Sequence, residues 1–188
     1  MEKLDSNSFK GTGKLLLTGE YFVLDGVPAL AVPTKLGQRL TVNDTQSSGL
    51  TWLAYDQKGE LWFTAEIGPR EAPQPNEDAF TKRLREILQA ADELNPGAYD
   101  KAVSGQQVTT HLEFDRNWGL GSSSTLIAAV AQWLEVNPYE LLERTFGGSG
   151  YDLASAIAEG PIIYARNGST PKVPPLDWRP EWVKHSHI

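Results

Sequence analysis

The chain contains no cysteine. That excludes a disulfide framework and any thiolate-ligated metal site, and it is compatible with a cytoplasmic setting. Basic residues are in deficit: 17 Lys and Arg against 24 Asp and Glu, a formal net charge of −7. Proteins that grip nucleic acid need a basic face, so this balance argues against a nucleic-acid partner while still allowing a local positive pocket. No apolar run approaches the ~20 residues of a membrane span, so no membrane partner is expected. The polar stretch from Met1 to Gly13 lacks the apolar heart of a secretion signal. No internal repeat or low-complexity tract interrupts the 188 residues. What is there, 40% hydrophobic and 22% charged, suits one well-packed globular domain.

Periodicity gives the outline. Lys14 to Thr18 reads as a buried strand ending in Gly19, and Ala29 to Val32 and Gln38 to Asn43 as two more strands. Leu50 to Tyr55 and Glu60 to Glu66 form a hairpin through Asp56-Gln57-Lys58-Gly59. Asn76 caps a helix whose apolar face is Phe80, Leu84, Ile87, Leu88, Ala91 and Leu94, stopped by Asn95-Pro96-Gly97. Val108, Thr110, Leu112 and Phe114 alternate with polar residues as a half-buried strand. Helices are expected over Leu126 to Leu134, Pro138 to Arg144 and Ser149 to Glu159, then a strand at Ile162 to Tyr164 and an irregular proline-rich surface run from Gly168 to Pro180. The order predicts an α+β domain: a mixed, mostly antiparallel sheet with helices on one face.

Three motifs carry chemistry. Gly119-Leu120-Gly121-Ser122-Ser123-Ser124-Thr125 runs into a helix. Glycines let backbone N–H groups crowd around an anion, and the helix start adds unpaired N–H groups and the positive end of its dipole. A plain small-residue turn explains the same letters, and the Walker spacing is absent. Lys14 and Glu20 flank an apolar strand and project at the sheet's ends, where a lysine can neutralise phosphate; two solvated charges are the plainer alternative. Gly147-Gly148-Ser149-Gly150-Tyr151-Asp152 puts an acid in the first turn of a small-residue helix. Capping accounts for the acid but not for three preceding glycines, which suit close approach of a substrate.

In this order the three motifs resemble those of the GHMP kinases (galactokinase, homoserine kinase, mevalonate kinase, phosphomevalonate kinase), over about residues 11 to 165. The resemblance implies a ribosomal-protein-like N-terminal kinase domain over 1–167, with 168–188 leading toward a second domain that the sequence does not carry. It implies ATP and magnesium (Mg2+) as cofactors, with Gly119, Leu120, Gly121, Ser122, Ser123, Ser124 and Thr125 around the phosphates. Asp152 is the implied acid–base residue and Lys14 its partner at the transferring group. Glu20, Tyr21, Ser149 and Gly150 fall near the substrate, and Ser123 and Glu143 are the candidate metal ligands. Gly-Glu-Tyr and Gly-Ser-Gly-Tyr-Asp look most like phosphomevalonate kinases, so mevalonate or phosphomevalonate is the expected small-molecule acceptor. A kinase of homoserine or sugars, and a non-catalytic regulator of the same fold, are the alternatives. A homodimer, or self-association through the apolar surface that the second domain would cover, is also expected.

Two departures bear on this reading. Asp115 stands where the family often has proline, placing a negative charge near the expected phosphate site. Counting back from Asp152 to the family's metal-binding glutamate lands on Leu141, with Glu140 and Glu143 flanking it. At the other end, His185 and His187 alternate, a pattern that suits a chain terminus better than a metal site.

Overall fold

The computed structural model describes residues 7–70, 77–166, 171–178 and 180–181. Six strands, β1 (Ser8–Leu16), β2 (Ala29–Asp44), β3 (Gly49–Tyr55), β4 (Leu61–Ile67), β5 (Ser104–Leu112) and β6 (Ile162–Tyr164), form one sheet. Its order is β1-β2-β5-β3-β4, with β6 also paired to β2. Only β3 and β5 run parallel. Five helices, α1 (Ala79–Leu94), α2 (Ala98–Ala102), α3 (Ser122–Leu134), α4 (Pro138–Thr145) and α5 (Tyr151–Ala156), complete the fold. The helices pack on one face, where Leu40, Leu50 and Val108 of the sheet meet Ile87, Ile127, Leu141 and Leu153. The expected α+β architecture is what the structure has.

Local chemistry explains most boundaries. Asp78 caps α1, its carboxylate accepting from the amides of Phe80 (2.9 Å) and Thr81 (3.1 Å); the expected cap, Asn76, lies outside the described residues. Asn137 caps α4 in the same way, with Pro138 in its first turn. Asp56 closes the β3–β4 hairpin by accepting from the amides of Lys58 and Glu60.

Several elements differ from expectation. The first strand starts and ends earlier than Lys14 to Thr18, and it is not buried: Leu15 and Leu17 are each 37% exposed. β1 is an edge strand, so among the described residues one of its flanks has no strand neighbour. The two strands expected around Pro33 are one continuous β2. Pro33 is tolerated because it lies opposite Lys14, beside a break in register between Thr12 and Lys14. Tyr21 to Leu24 opens a short 3-10 turn, Phe22–Asp25, that buries only Val23. The helix expected from Ser149 to Glu159 is only Tyr151–Ala156. The run after Gly168 folds back, Lys172 and Ala165 exchanging backbone hydrogen bonds at 3.0 Å, so this part is paired rather than irregular. His185 and His187 lie outside the described residues. Among those described, no helix is long and apolar enough to cross a membrane.

Candidate functional site

Strand β1 organises the site. Gly11 lets it press against the start of α3: a Cβ there would sit 2.8 Å from Thr125 Cα. The Thr12 hydroxyl donates to the carbonyls of Ser155 (3.2 Å) and Ala156 (3.3 Å), fastening the end of α5. The Lys14 amide donates to the Leu120 carbonyl at 3.0 Å, fastening the glycine-serine loop. One extended segment therefore holds both helices and places the Lys14 side chain between them.

The loop itself is built by two left-handed glycines, Gly119 (φ 69°) and Gly121 (φ 83°). Gly121 is the N-cap of α3, and no side chain caps the helix. Its first amides therefore keep their hydrogen-bonding capacity, and the dipole's positive end faces the crevice. Lys14 and Asp152 close the other side. A Cβ on Gly121 would lie 3.4 Å from Lys14 Cγ and 3.8 Å from Asp152 Cβ. The loop, the lysine and the aspartate thus line one crevice.

Lys14 Nζ lies 3.2 Å from Asp152 Oδ1, with side-chain exposures of 13% and 34%. The contact is an ion pair rather than an aligned hydrogen bond, since Oδ1 is sealed from solvent and has no hydrogen-bond partner. Nζ also stands 3.5 Å from the Tyr151 hydroxyl and 5.2 Å from that ring's centre. Burial pulls the Lys14 pKa down, but the charge of Asp152 and the contact with Tyr151 outweigh it and hold it above the usual 10.5. Burial, and then the Asp152 charge, push the Tyr151 phenol up. At neutral pH the crevice therefore holds an ammonium and a neutral phenol.

The other candidate residues fall into four groups. Ser122 and Ser123 face an adjoining cavity, and Ser123 is exposed. Ser124 is buried, and the buried Thr125 hydroxyl contacts Gln38 Oε1 and the Ser122 carbonyl, both at 2.8 Å, so these two serve the helix–sheet joint. Glu143, Ser149 and Gly150 line a separate hollow of about 170 Å³ with Tyr139 and Tyr164. Burial, then Tyr164, pushes the Tyr139 phenol up to about 12. Glu143 and Ser123 line different hollows. Glu20 and Tyr21 are exposed beyond the end of β1, Tyr21 with a positive φ of 66°. Asp115 is turned away from the loop's amides: it caps the 3-10 turn Arg116–Trp118 and accepts from Gln57 at 3.4 Å.

Sequence reasoning missed the large cavity. It measures about 370 Å³, lies between the sheet and α1, and opens beside Ser122 and Ser123. Trp62, Phe80, Arg83, Arg116 and Phe146 form its walls. Trp62 meets Phe80 edge-on at 5.5 Å, and the Arg116 guanidinium lies 3.9 Å from the Trp62 ring centre. Trp62 reaches this position because Ala54 and Tyr55 pair with Phe63 and Leu61, leaving it as the extra residue of a bulge. Phe80, expected on the core face of α1, is 55% exposed and serves the cavity. The sole sequence signal was the adjacent pair Trp62-Phe63, which simple alternation cannot bury together.

No family model matches the chain, and no curated protein does. Solved structures do match. A D-glycero-D-manno-heptose 1-phosphate kinase from Bacteriodes thetaiotaomicron aligns over 92% of this chain and 60% of its own, with TM-score 0.64 and 18% identity. Methanococcus jannaschii mevalonate kinase aligns over 88% and 54%, with TM-score 0.63 and 15% identity. Streptococcus pneumoniae phosphomevalonate kinase, solved with phosphomevalonate and AMPPNP, aligns over 96% and 54%, with TM-score 0.60 and 18% identity. The chain spans about half the length of the solved structures it matches.

Proposed function

From a chain whose fold is that of the GHMP kinase N-terminal domain, we propose an ATP-dependent phosphoryl transfer to a small-molecule acceptor. The observation that carries the proposal is the meeting of Gly121, Lys14 and Asp152 in one crevice at the start of α3. Phosphoryl transfer needs positioning and charge neutralisation more than covalent help, and these groups supply both. The free amides behind Gly119 and Gly121 take phosphate oxygens. The aromatic cavity next to Ser122 seats the base. Lys14 counters charge on the transferring group. Asp152 faces the acceptor: it takes the proton of a hydroxyl, or orients an acceptor that is already ionised.

The oxygen donors present suit magnesium in part. Ser123 offers an exposed hydroxyl at the loop, but no group of three His, Asp or Glu among the described residues could hold a metal. A magnesium ion here would lean on the nucleotide's own oxygens. When bound, it neutralises charge along the triphosphate.

For the acceptor we infer mevalonate or phosphomevalonate. This rests on the Gly-Glu-Tyr and Gly-Ser-Gly-Tyr-Asp segments and is supported by the structural neighbours; a sugar acceptor is the second reading, favoured by the heptose-phosphate kinase among those neighbours. A cytoplasmic setting is part of the same proposal. So is self-association through the exposed Leu15, Leu17, Phe22 and Leu24. The test is ATP consumption by the protein with mevalonate, phosphomevalonate, homoserine and a set of sugars. Turnover with one acceptor alone supports the reading, and ATP binding with no turnover on any of them favours a non-catalytic role.

A further inference from the structure

Lysine carries a long, flexible stem, and the ion pair with Asp152 is a weak tether for it. The Asp152 side chain is about a third exposed, and a pair so open to water holds its partner loosely. The Lys14 side chain is nonetheless mostly buried. Gly121 meets its stem: a Cβ added there would come within 3.4 Å of Lys14 Cγ and 3.6 Å of its Cε. Tyr151 meets its ammonium, with the hydroxyl 3.5 Å from Nζ and the ring centre at 5.2 Å. The ammonium therefore stands toward the hydroxyl end of the ring. Asp152 and Tyr151 are the titratable groups that act on it among the described residues.

Tyr151 is itself braced by a second tyrosine. Tyr164 of β6 is 2% exposed. Its hydroxyl donates to the Ser149 carbonyl, and its ring meets Tyr151 edge-on at 6.5 Å. Gly150 leaves room for this arrangement: a Cβ there would stand 2.9 Å from the Tyr164 hydroxyl. Tyr164 belongs to the smaller core cluster with Val23, Ala29, Ala31, Ala154 and Ile162, and Tyr151 packs against it. A line of contacts thus runs from that core through Tyr164 and Tyr151 to the Lys14 ammonium. Packing asks only for a ring at position 151, which a phenylalanine would supply. The hydroxyl set against the ammonium is the feature that packing leaves over.

We propose that Tyr151 is a positioning residue: braced by Tyr164, it fixes the Lys14 ammonium between the glycine-serine loop and Asp152. The inference rests on the phosphoryl transfer proposed above, and Tyr151 acts in it through Lys14, without touching the reacting atoms. The hydroxyl oxygen offers the ammonium a lone pair, while Asp152 supplies the opposite charge. Lys14 is then already ordered when an anion reaches the loop, so binding does not have to freeze a mobile stem.

The test reads Lys14 first directly and then through an anion. In the 188-residue chain, isotopically labelled at lysine, NMR relaxation of the Lys14 ε-methylene reports its order, and Lys14→Met identifies the signal. Calorimetry with inorganic tripolyphosphate and magnesium gives affinities for the chain, Tyr151→Phe, Tyr151→Leu, Lys14→Met and each Tyr151 variant combined with Lys14→Met. Thermal melts control for folding. The expected result is a more mobile Lys14 in both Tyr151 variants. Tripolyphosphate binds about threefold more weakly to Tyr151→Phe and about tenfold more weakly to Tyr151→Leu. In the Lys14→Met background the same replacements change the affinity by less than about twofold. Unchanged Lys14 order or unchanged affinity in a folded Tyr151→Phe overturns the inference and leaves the kinase reading intact, and this variant decides alone if Tyr151→Leu does not fold. Equal weakening with and without Lys14 also overturns it, because Tyr151 then supports the fold rather than the lysine. Absence of tripolyphosphate binding by the unaltered chain overturns the phosphoryl-transfer reading, and the inference with it.

Discussion

The Lys14 amide donates to the Leu120 carbonyl at 3.0 Å, while the same residue's ammonium stands 3.2 Å from Asp152. Backbone and side chain of one residue thus join two motifs from distant parts of the chain. The arrangement makes Lys14 part of the loop's foundation as well as of its charge balance.

Asp152→Asn keeps shape and removes charge. If Asp152 takes a proton from a hydroxyl acceptor, kcat should fall by about 10²–10⁴. With a phosphate acceptor, already ionised, the fall should be smaller. Steady-state kinetics on the active protein decide this, and undiminished turnover with a hydroxyl acceptor removes Asp152 from the catalytic role.

The raised Lys14 pKa predicts a pH dependence of stability. A lysine whose folded pKa exceeds its unfolded value contributes fully below about 10.5. That contribution fades as pH climbs through the folded pKa. The stability gap between the chain and Lys14→Met should therefore be flat from pH 7 to about 10 and narrow above it, as read by denaturant melts at each pH. A gap that changes between pH 6 and 8 contradicts this assignment.

Gly11→Ala drives a methyl into the Thr125 backbone, which cannot yield as a flexible side chain would. Overpacking of this kind costs about 1–3 kcal/mol. A chemical denaturation midpoint lowered without change of slope is the expected signature. Gly59→Ala is the comparison at another glycine: its methyl would meet nothing, leaving only the strain of a positive φ.

Trp62→Ala removes a wall of the large cavity. Loss of base–aromatic contact should weaken ATP binding by about 1–3 kcal/mol while sparing tripolyphosphate. Equal losses for the two ligands would mean that Trp62 supports the fold rather than the base.

The sequence made the glycine-serine turn and the helix behind it legible because glycines, serines and a following helix signal each other locally. Alternation at Val108, Thr110, Leu112 and Phe114 likewise marked a strand whose inner face is buried as expected. Register is not local, and there the reading failed. Ala29 to Val32 and Gln38 to Asn43 read as two strands because the irregularity that accommodates Pro33 between them lies across the sheet, between Thr12 and Lys14. The pair Trp62-Phe63 signalled an irregularity but not where Trp62 points, because a bulge against β3 aims it. Gln38 and Thr110 read as ordinary strand residues; only the meeting of β2, β5 and α3 turns them into the floor of the large cavity. Leu15 and Leu17 read as buried because apolarity says nothing about which strand lies at an edge.

The most direct test of the nucleotide crevice is an amide NMR titration of the 188-residue chain with magnesium and ATP, which registers weak binding as well as strong. The crevice predicts the largest shifts at Gly119, Gly121, Ser122, Ser123 and Lys14, with the Trp62 indole moving in step. Shifts confined to the opposite, polar face of the sheet around Thr41 and Thr51, or none at millimolar nucleotide, would contradict it.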